Sequence, residues 1–327
     1  MEYQQLGASG VTVSRIAFGS WAAGGWMWGG TEQNDAVGAI RAAYDLGVTS
    51  IDTAPIYGQG LSEQIVGEAI KGLPRDKVQV LTKFGMRWDD TKGEFGFKSQ
   101  NNQGQDIDVY KYAGRDSIIK ECEDSLRRLG TDYIDLYQQH WPDTTTPIAE
   151  TMEAVQRLIE QGKVRAAGVS NYSVAQLAEA DKTLKQASNQ VPFSMLKRDI
   201  EKDVVPYAQQ HNEGILVYSP LQLGLLTGKI KPGQRFGDGD LRNGNQLFSA
   251  ESVQKVNTFL DKLRPMAESK NATLAQLVIR WTLAQPGITV ALVGARNPEQ
   301  ASQNAKAIDV QLSFEEIDFI NKQLAAM

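Results

Sequence analysis

The sequence predicts an α/β protein in which repeated strand–helix units close into a (β/α)8 TIM barrel, with an N-terminal β-hairpin and long loops on one face. About eight strand-like segments alternate with helix-like segments along 327 residues, with no break in composition. Three of the strand-like segments end in Asp52, Lys83 and His140, and barrels of parallel strands place their chemistry at the C-terminal ends of strands. We therefore expect residues 1–327 to form a single domain. A doubly wound sheet is the alternative, but no G-x-G-x-x-G motif follows the first strand.

The strands are predicted from short apolar runs bounded by turn residues. Tyr3–Leu6 and Val11–Phe18 are typical of a hairpin, with a turn from Gly7 to Gly10 between them. The strands predicted after the hairpin are 48–51, 78–82, 133–139, 164–169, 190–193, 215–218 and 289–293.

Helices are predicted where apolar residues recur at helical spacing and where caps or glycine stops bound the run. Thr146 is predicted as an N-cap with Pro147 at the first helical position. Three further helices are predicted to open with capping boxes, at Ser173/Gln176, Thr273/Gln276 and Ser313/Glu316. The remaining predicted helices are 32–46, 62–71, 116–129, 203–211, 249–270 and one starting at Pro298.

Two predicted connections, residues 85–114 and 231–248, are longer than the loops usual in a compact domain. Both should leave the C-terminal face of the barrel, and loops of this length are usually either binding loops or disordered. A third segment, residues 19–30, is dense in glycine and tryptophan and should also be a loop, because glycine is unfavourable in regular elements. This segment either folds over its own hydrophobic cluster or forms a wall of a ligand pocket.

Composition excludes several classes of protein. The net charge of −5 argues against a nucleic-acid partner or a polybasic membrane partner. The single cysteine, Cys122, excludes an internal disulfide framework and lies at helical core spacing. With only His140 and His211, a histidine-based metal cluster is not expected. No signal peptide or bilayer-spanning run is found, so we expect a cytoplasmic protein, with a monomer as the default.

The strand-end residues Asp52, Lys83 and His140, with Tyr57 five residues after Asp52, form a set with a possible joint chemistry. A lysine ammonium near a tyrosine should lower the pKa of the phenol, and Asp52 should keep Lys83 in place and charged. His140 would donate a hydrogen bond to a substrate oxygen. Such a set can protonate an oxygen that gains negative charge, as in carbonyl reduction by an external hydride. Taken singly, each of the strand-end residues could have a purely structural role: Asp52 as a turn or cap residue, Lys83 as a solvated lysine and His140 as a structural histidine.

With these residues in place, the chain resembles the aldo-keto reductase superfamily along nearly its whole length. Within that superfamily it is similar to bacterial general-stress and inositol-linked oxidoreductases and to potassium-channel β subunits. The motifs that carry the resemblance are Gly47–Gly58, Leu81–Phe84, Leu126–Pro142, Gly162–Asn171, Tyr218–Leu221, Gly224–Lys229 and Val293–Gln300.

The resemblance implies a barrel that binds NADPH without a Rossmann domain and reduces aldehydes or ketones. It implies that Tyr57 is the general acid, that Lys83 and Asp52 tune it, and that His140 orients the carbonyl. The implied cofactor contacts are Gly19, Trp21, Ser170, Asn171, Gln190, Tyr218, Ser219, Leu221, Gly224, Leu225, Lys229, Gly294, Arg296, Gln300 and Asn304.

The position of Arg296 also predicts a phosphate contact on physical grounds, independently of the resemblance. Asn297 and Pro298 begin a helix whose free N–H groups attract an anion, and Arg296 supplies a planar charged group suited to phosphate. Together they favour the 2′-phosphate of NADP over NAD.

The substrate pocket is predicted to be aromatic, with Trp26, Trp28 and Trp141 beside Trp21. Such a wall suits an apolar or aromatic carbonyl, or a sugar-like carbonyl stacked on indole. The alternative to an enzyme is an NADPH-binding partner protein with weak catalysis, as the similarity to channel β subunits implies.

Overall fold

Eight parallel strands close into a barrel in the computed structural model, which describes residues 1–327. Neighbouring strands follow chain order around the barrel, and the last strand pairs with the first through Ala291–Gly294 and Ile16–Gly19. The barrel strands are β3 (Ile16–Gly19), β4 (Ser50–Asp52), β5 (Gln79–Phe84), β9 (Ile134–Gln139), β10 (Val164–Ser170), β11 (Ser188–Pro192), β12 (Gly214–Tyr218) and β13 (Val290–Gly294). The predicted (β/α)8 barrel is confirmed, and the doubly wound alternative is excluded by this closure.

Helices surround the barrel and bury apolar faces against the strands and against one another. The ten helices are α1 (Gln33–Asp45), α2 (Leu61–Ile70), α3 (Arg115–Leu129), α4 (Ile148–Glu160), α5 (Val174–Ala180), α6 (Val204–His211), α7 (Ala250–Ser269), α8 (Leu274–Leu283), α9 (Pro298–Ala305) and α10 (Phe314–Ala325). None of these helices is both long and apolar enough to cross a membrane.

A two-stranded hairpin, β1 (Tyr3–Gln5) and β2 (Thr12–Ser14), covers the N-terminal end of the barrel. The hairpin is therefore confirmed, but the predicted strand from Val11 to Phe18 is divided at Arg15 between the hairpin and the barrel. Leu6 and Val13 are fully buried and pack with residues of the barrel interior, including Leu81 and Leu216. The hairpin thus closes the end of the barrel opposite the strand ends that carry Asp52 and Lys83.

The prediction of an unstructured connection between Gly85 and Gly114 is wrong. The segment folds into a three-stranded antiparallel sheet of β6 (Met86–Arg87), β8 (Asp106–Lys111) and β7 (Glu94–Gln100). Apolar residues alternate with polar ones along both long strands, and a polar turn joins them. The high content of glycine, asparagine and glutamine obscured this period-two pattern.

The three predicted capping boxes are present, at Ser173, Thr273 and Ser313. The predicted cap at Thr146 is wrong by one residue. Pro147 occupies the N-cap of α4, and no side chain caps this helix. Pro147 lacks an N–H group, so its place immediately before the first turn leaves no additional donor unsatisfied.

Candidate active site

A cleft of about 690 Å³ opens at the C-terminal ends of the barrel strands. Its walls come from the strand ends and from three segments, residues 19–30, 85–114 and 219–248. One end is aromatic and contains Trp21, Tyr57, Phe97 and Trp141, and the other contains Lys229, Arg242, Arg296, Gln300 and Asn304. The Trp28 ring lies between the two ends, next to Trp21 and to both arginines.

Lys83 lies fully buried beneath the aromatic end and connects the predicted residues. Its ammonium donates to Asp52 Oδ1 at 2.6 Å, to the carbonyl of Thr53 at 3.0 Å and to the hydroxyl of Tyr57 at 3.4 Å. An ammonium has three protons, so each of them has an acceptor here. Because the Tyr57 oxygen accepts from Lys83, the phenolic proton points away from Lys83.

The second oxygen of the Asp52 carboxylate is held by two buried amides. Gln190 donates to Asp52 Oδ2 at 2.7 Å, and Gln138 approaches the same oxygen at 3.4 Å. The Gln190 amide also lies 3.3 Å from the Gln138 side-chain oxygen. Asp52 and Lys83 are therefore fixed from both sides, which suits a buried ion pair whose remaining polar atoms need partners.

The turn after β4 places Tyr57 over this ion pair. The Tyr57 N–H donates to the carbonyl of Ala54, and the Tyr57 carbonyl accepts from Ser62 at the start of α2. Gly58 has a φ of +67°, and a Cβ atom at this position would lie 2.5 Å from the carbonyl oxygen of Gly24. Glycine is thus required where the turn touches the tryptophan-rich segment.

The expectation that Lys83 lowers the pKa of Tyr57 is wrong. Burial raises the pKa of Tyr57 well above its usual value, and the negative charge of Asp52 raises it further. The Asp52 charge next to Lys83 offsets the effect of the ammonium on the phenol. Tyr57 is therefore a neutral phenol at physiological pH and can give a proton rather than take one.

His140 lies directly after β9 with its ring across the edge of the Tyr57 ring, at a centroid distance of 5.6 Å and an interplanar angle of 83°. Burial lowers the pKa of His140 well below its usual value, and the Lys83 charge adds to this effect. The imidazole is therefore neutral and carries one N–H donor. Tyr57 and His140 both line the cleft, so one oxygen atom of a ligand can face both groups.

Hydrogen bonds continue from this group along the strand ends. Tyr218 donates to Asn171 Oδ1 at 2.9 Å, and the Asn171 amide donates to Ser170 Oγ and to the carbonyl of His140. Asn171 and Ser219 adopt left-handed backbone conformations with φ of 62° and 56°. Such conformations are uncommon for residues other than glycine and often occur at functional sites.

The cleft is cationic although the protein is acidic. Its walls contain Lys229, Arg242 and Arg296, while Asp52 is the one acidic residue among them and is paired with Lys83. This donor set fits a ligand that carries several phosphate charges.

Most of the predicted cofactor contacts line this cleft. Leu225 does not, because its side chain is fully buried in the main hydrophobic core. The predicted residues in the wall of the cleft are Gly19, Trp21, Ser170, Asn171, Gln190, Tyr218, Ser219, Leu221, Gly224, Lys229, Gly294, Arg296, Gln300 and Asn304.

The tryptophan-rich segment combines both predicted arrangements. Trp26 is buried in a cluster with Ile56 and Met86, stacks on Phe97 and donates its indole N–H to the Gln100 carbonyl. Trp26 therefore fixes the loop as well as lining the cleft. Trp21, Trp28 and Trp141 are more accessible and form the cleft wall, with the Trp21 ring stacked against Tyr57 at 6.0 Å.

Arg296 stands at the polar end but already has a partner within the chain. Its guanidinium donates to the carbonyl of Trp28 at 2.6 Å. The predicted helix start is present, since Asn297 caps α9 by accepting from the N–H of Gln300.

Comparison with known proteins shows the family. A model of the aldo/keto reductase family matches residues 15–325. This chain belongs to the aldo/keto reductase family. An aldo-keto reductase of Bacillus subtilis is 40% identical over 323 residues, which cover 98% of this chain and 93% of that protein. An NADH-specific methylglyoxal reductase of Escherichia coli is 36% identical over 327 residues, covering 98% of each. The structure of a glycerol dehydrogenase from Gluconobacter oxydans superposes with a TM-score of 0.87 at 38% identity, covering 99% of this chain and 95% of that one.

Three further residues of this aldo-keto reductase site were missed. Arg242 lies in the predicted 231–248 connection, where only an arginine-rich composition hinted at it. Phe97 lies on the unpredicted sheet. Gln138, two residues before His140, shares its side of β9 because side chains alternate along a strand. Its position could have been found from that alternation alone.

Proposed function

We propose that this aldo-keto reductase reduces aldehydes and ketones to alcohols with NADPH, and that one domain carries the whole reaction. The observation that carries the proposal is the bond pattern of Lys83. The ammonium donates its three protons to three acceptors, and the third acceptor is the Tyr57 oxygen. The phenolic proton is thus left for a substrate oxygen in the cleft.

The roles of Asp52, Tyr57, Lys83 and His140 follow from this pattern. Tyr57 is the general acid, and a positioned acid contributes on the order of 10²–10⁴-fold to a rate. Lys83 fixes the phenol oxygen and offsets negative charge that grows on it as the proton leaves. Asp52 holds Lys83, and neutral His140 orients the carbonyl through its N–H group.

When bound, reduced nicotinamide supplies the hydride that reaches the carbonyl carbon. The carbonyl oxygen takes the proton of Tyr57, so that one hydride and one proton convert the carbonyl to an alcohol. Ser170, Asn171 and Gln190 would hold the nicotinamide carboxamide, with the ring against Tyr218. The Asn171 amide donates to Ser170 Oγ, and Ser170 Oγ donates to the backbone carbonyl of Gln190, so the three residues lie together at the strand ends, which supports this placement.

The preference for NADPH rests on the charges of the cleft, because the relatives do not fix it. One of them is named as NADH-specific. In this chain Lys229, Arg242 and Arg296 face a cleft with one paired carboxylate, an arrangement that favours the more highly charged cofactor.

The substrate class is a small carbonyl compound. Relatives are named for methylglyoxal reduction and glycerol dehydrogenation. The aromatic wall of Trp21, Trp28 and Trp141 is compatible with a short hydroxy-carbonyl stacked on indole.

The first test is turnover of NADPH and NADH, followed by absorbance of the reduced nicotinamide, against a panel of aldehydes, ketones and keto-sugars. We expect turnover with a clear preference for NADPH. Tight NADPH binding with negligible turnover across the panel would contradict the proposal and point to a cofactor-binding partner protein.

Replacing Tyr57 by Phe tests the acid directly. Tyr57→Phe should lower kcat by about 10²-fold or more while NADPH affinity stays near that of the wild type, because the hydroxyl serves the substrate oxygen. Tyr44→Phe, which removes a phenol hydroxyl from α1, is the matched control and should leave both quantities unchanged. Near-wild-type kcat in Tyr57→Phe would remove Tyr57 as the acid.

A further inference from the structure

Two guanidinium groups meet at the polar end of the cleft around one indole ring. The Arg242 Cζ atom lies 5.2 Å from the centre of the Trp28 ring, and the Arg296 Cζ atom lies 5.4 Å from it. Both arginines line the cleft beside Gln300 and Asn304. They come from different parts of the fold, since Arg296 follows β13 and Arg242 lies in the 231–248 loop.

Arg242 is held in place by Asp240. Its guanidinium donates from Nε to Asp240 Oδ1 at 2.9 Å and from Nη2 to Asp240 Oδ2 at 2.5 Å, and its own N–H donates to Oδ1 at 3.0 Å. Such a two-bond pairing fixes the plane of the guanidinium. Asp240 is only 5% exposed and does not line the cleft. The Arg242 guanidinium therefore faces the cleft, and the Asp240 carboxylate does not.

At the polar end of the cleft, two guanidinium charges are balanced by only one carboxylate charge. Asp240 is the one carboxylate paired with Arg242, and Arg296 donates to a neutral carbonyl. Burial lowers the pKa of Arg296, and the nearby charge of Arg242 lowers it further. A bound anion would relieve this repulsion.

The loop that carries Arg242 is joined through its backbone to residues 19–30, the segment to which the Arg296 side chain donates. The N–H of Leu241 donates to the carbonyl of Met27 at 2.9 Å, and Trp28 pairs with Asp240 as an isolated bridge. An anion that draws the two guanidinium groups together would therefore also hold the 231–248 loop against residues 19–30.

We propose that Arg242 is a second cofactor-specificity residue, which binds the 2′-phosphate of NADPH together with Arg296, and that Asp240 is its positioning residue. This inference rests on the proposed function and adds to it a residue outside the family's β13-to-α9 motif. Contacts from two guanidinium groups favour a 2′-phosphate over a ribose hydroxyl more strongly than contacts from Arg296 alone.

The test compares two nucleotides that differ only in this phosphate. Binding of adenosine 2′,5′-bisphosphate and of adenosine 5′-monophosphate is measured by calorimetry on the full chain, with NADP⁺ and NAD⁺ alongside. Arg242→Ala should reduce the preference for the bisphosphate by about tenfold or more, the usual effect of losing a charge-assisted contact. Arg242→Lys should retain part of the preference, and Asp240→Asn should reduce it while leaving monophosphate affinity unchanged.

Arg235→Ala is the matched control, because Arg235 is an exposed arginine of the same loop that does not line the cleft. It should leave the preference unchanged. An unchanged preference in Arg242→Ala, or an equal loss for both nucleotides, would overturn the inference. If the wild type turns over carbonyls with NADPH in that case, the proposed function still stands. A wild type that binds neither NADP⁺ nor NAD⁺ would overturn both.

Discussion

Burial drives Tyr57 and His140 toward their neutral forms, although one is an acid and the other a base. The pKa of Tyr57 is raised and the pKa of His140 is lowered, in both cases chiefly because water is excluded. Burial also lowers the pKa of Lys83, and the charge of Asp52 opposes that effect. The site therefore offers two neutral hydrogen-bond donors to a carbonyl oxygen and keeps its one ion pair below them.

This arrangement predicts the pH dependence of carbonyl reduction. Because the pKa of His140 is held well below its usual value, its imidazole is neutral from mildly acidic to alkaline pH. We expect kcat/KM for reduction to show no ionisation near pH ~6.5, the ordinary value for histidine. The measurement is the pH profile of kcat/KM in the wild type and in His140→Asn.

His211 is the other histidine of the chain and provides the control. It lies at the end of α6, away from the cleft, so His211→Asn should leave the profile unchanged. A step near the ordinary histidine pKa that disappears in His140→Asn and persists in His211→Asn would show that His140 titrates during turnover.

At the level of single residues, the sequence identified the types and order of Asp52, Tyr57, Lys83 and His140 but not their electrostatics. The effect of Lys83 on Tyr57 was misjudged because its charge is offset by Asp52 and because the depth of burial depends on packing. Arg242 was missed for a related reason. Its place in the cleft is set by the pairing of its loop with Met27, a contact between residues more than 200 positions apart.

Among the elements, the contact of α3 with the inserted sheet carries an electrostatic cost. Glu121 of α3 accepts from the N–H of Gly85 at 3.0 Å and from Ser117 Oγ at 2.9 Å, and Arg87 of β6 lies 3.6 Å away. The carboxylate thus joins α3 to the chain two residues after Lys83. Burial raises the pKa of Glu121 to about 7, and Arg87 only partly opposes the shift.

This shift makes stability fall with rising pH. Between about pH 4.5 and 7 the folded state holds a proton that the unfolded state releases, so the free energy of unfolding declines through this window and levels off above it. Glu121→Gln should remove that dependence. Its stability relative to the wild type should rise by about 2–3 kcal/mol between pH 5 and 8, as measured by urea denaturation.

An exposed carboxylate on the same helix provides the control for this measurement. Glu123→Gln changes the charge equally, but Glu123 lies at the surface of α3. A difference between Glu121→Gln and wild type that stays constant from pH 5 to 8 would show that Glu121 does not titrate in this window.

The inserted sheet also shows where prediction of elements failed. The barrel strands are short and strongly apolar because they are buried on both sides, so they stand out in the sequence. Strands β7 and β8 are half-exposed and polar on one face. Their stability comes from pairing with each other and from Trp26, which stacks on Phe97 and donates to Gln100. That contact is set by the tertiary fold.

In the whole molecule, the two ends of the barrel have separate tasks. The C-terminal end carries the cleft, while the N-terminal end is closed by the hairpin and its apolar side chains. The order of the eight units was enough to predict the closed barrel, because short right-handed crossovers leave few other arrangements. The shape of the cleft was not predictable in the same way, since it depends on three long segments that contact each other.

This separation predicts that stability and activity can be changed independently. Leu6 is fully buried among barrel-interior residues, and its Cδ2 atom would lie only 3.0 Å from a Cβ atom at Gly214. Leu6→Ala should lower the free energy of unfolding by about 2–5 kcal/mol, because it leaves a cavity in a packed core. The kcat/KM of the folded protein and its preference between NADPH and NADH should not change. Gln4→Ala, at an exposed position of the same hairpin, should change neither quantity. If Leu6→Ala altered the cofactor preference below its unfolding transition, the two ends of the barrel would be coupled through the interior.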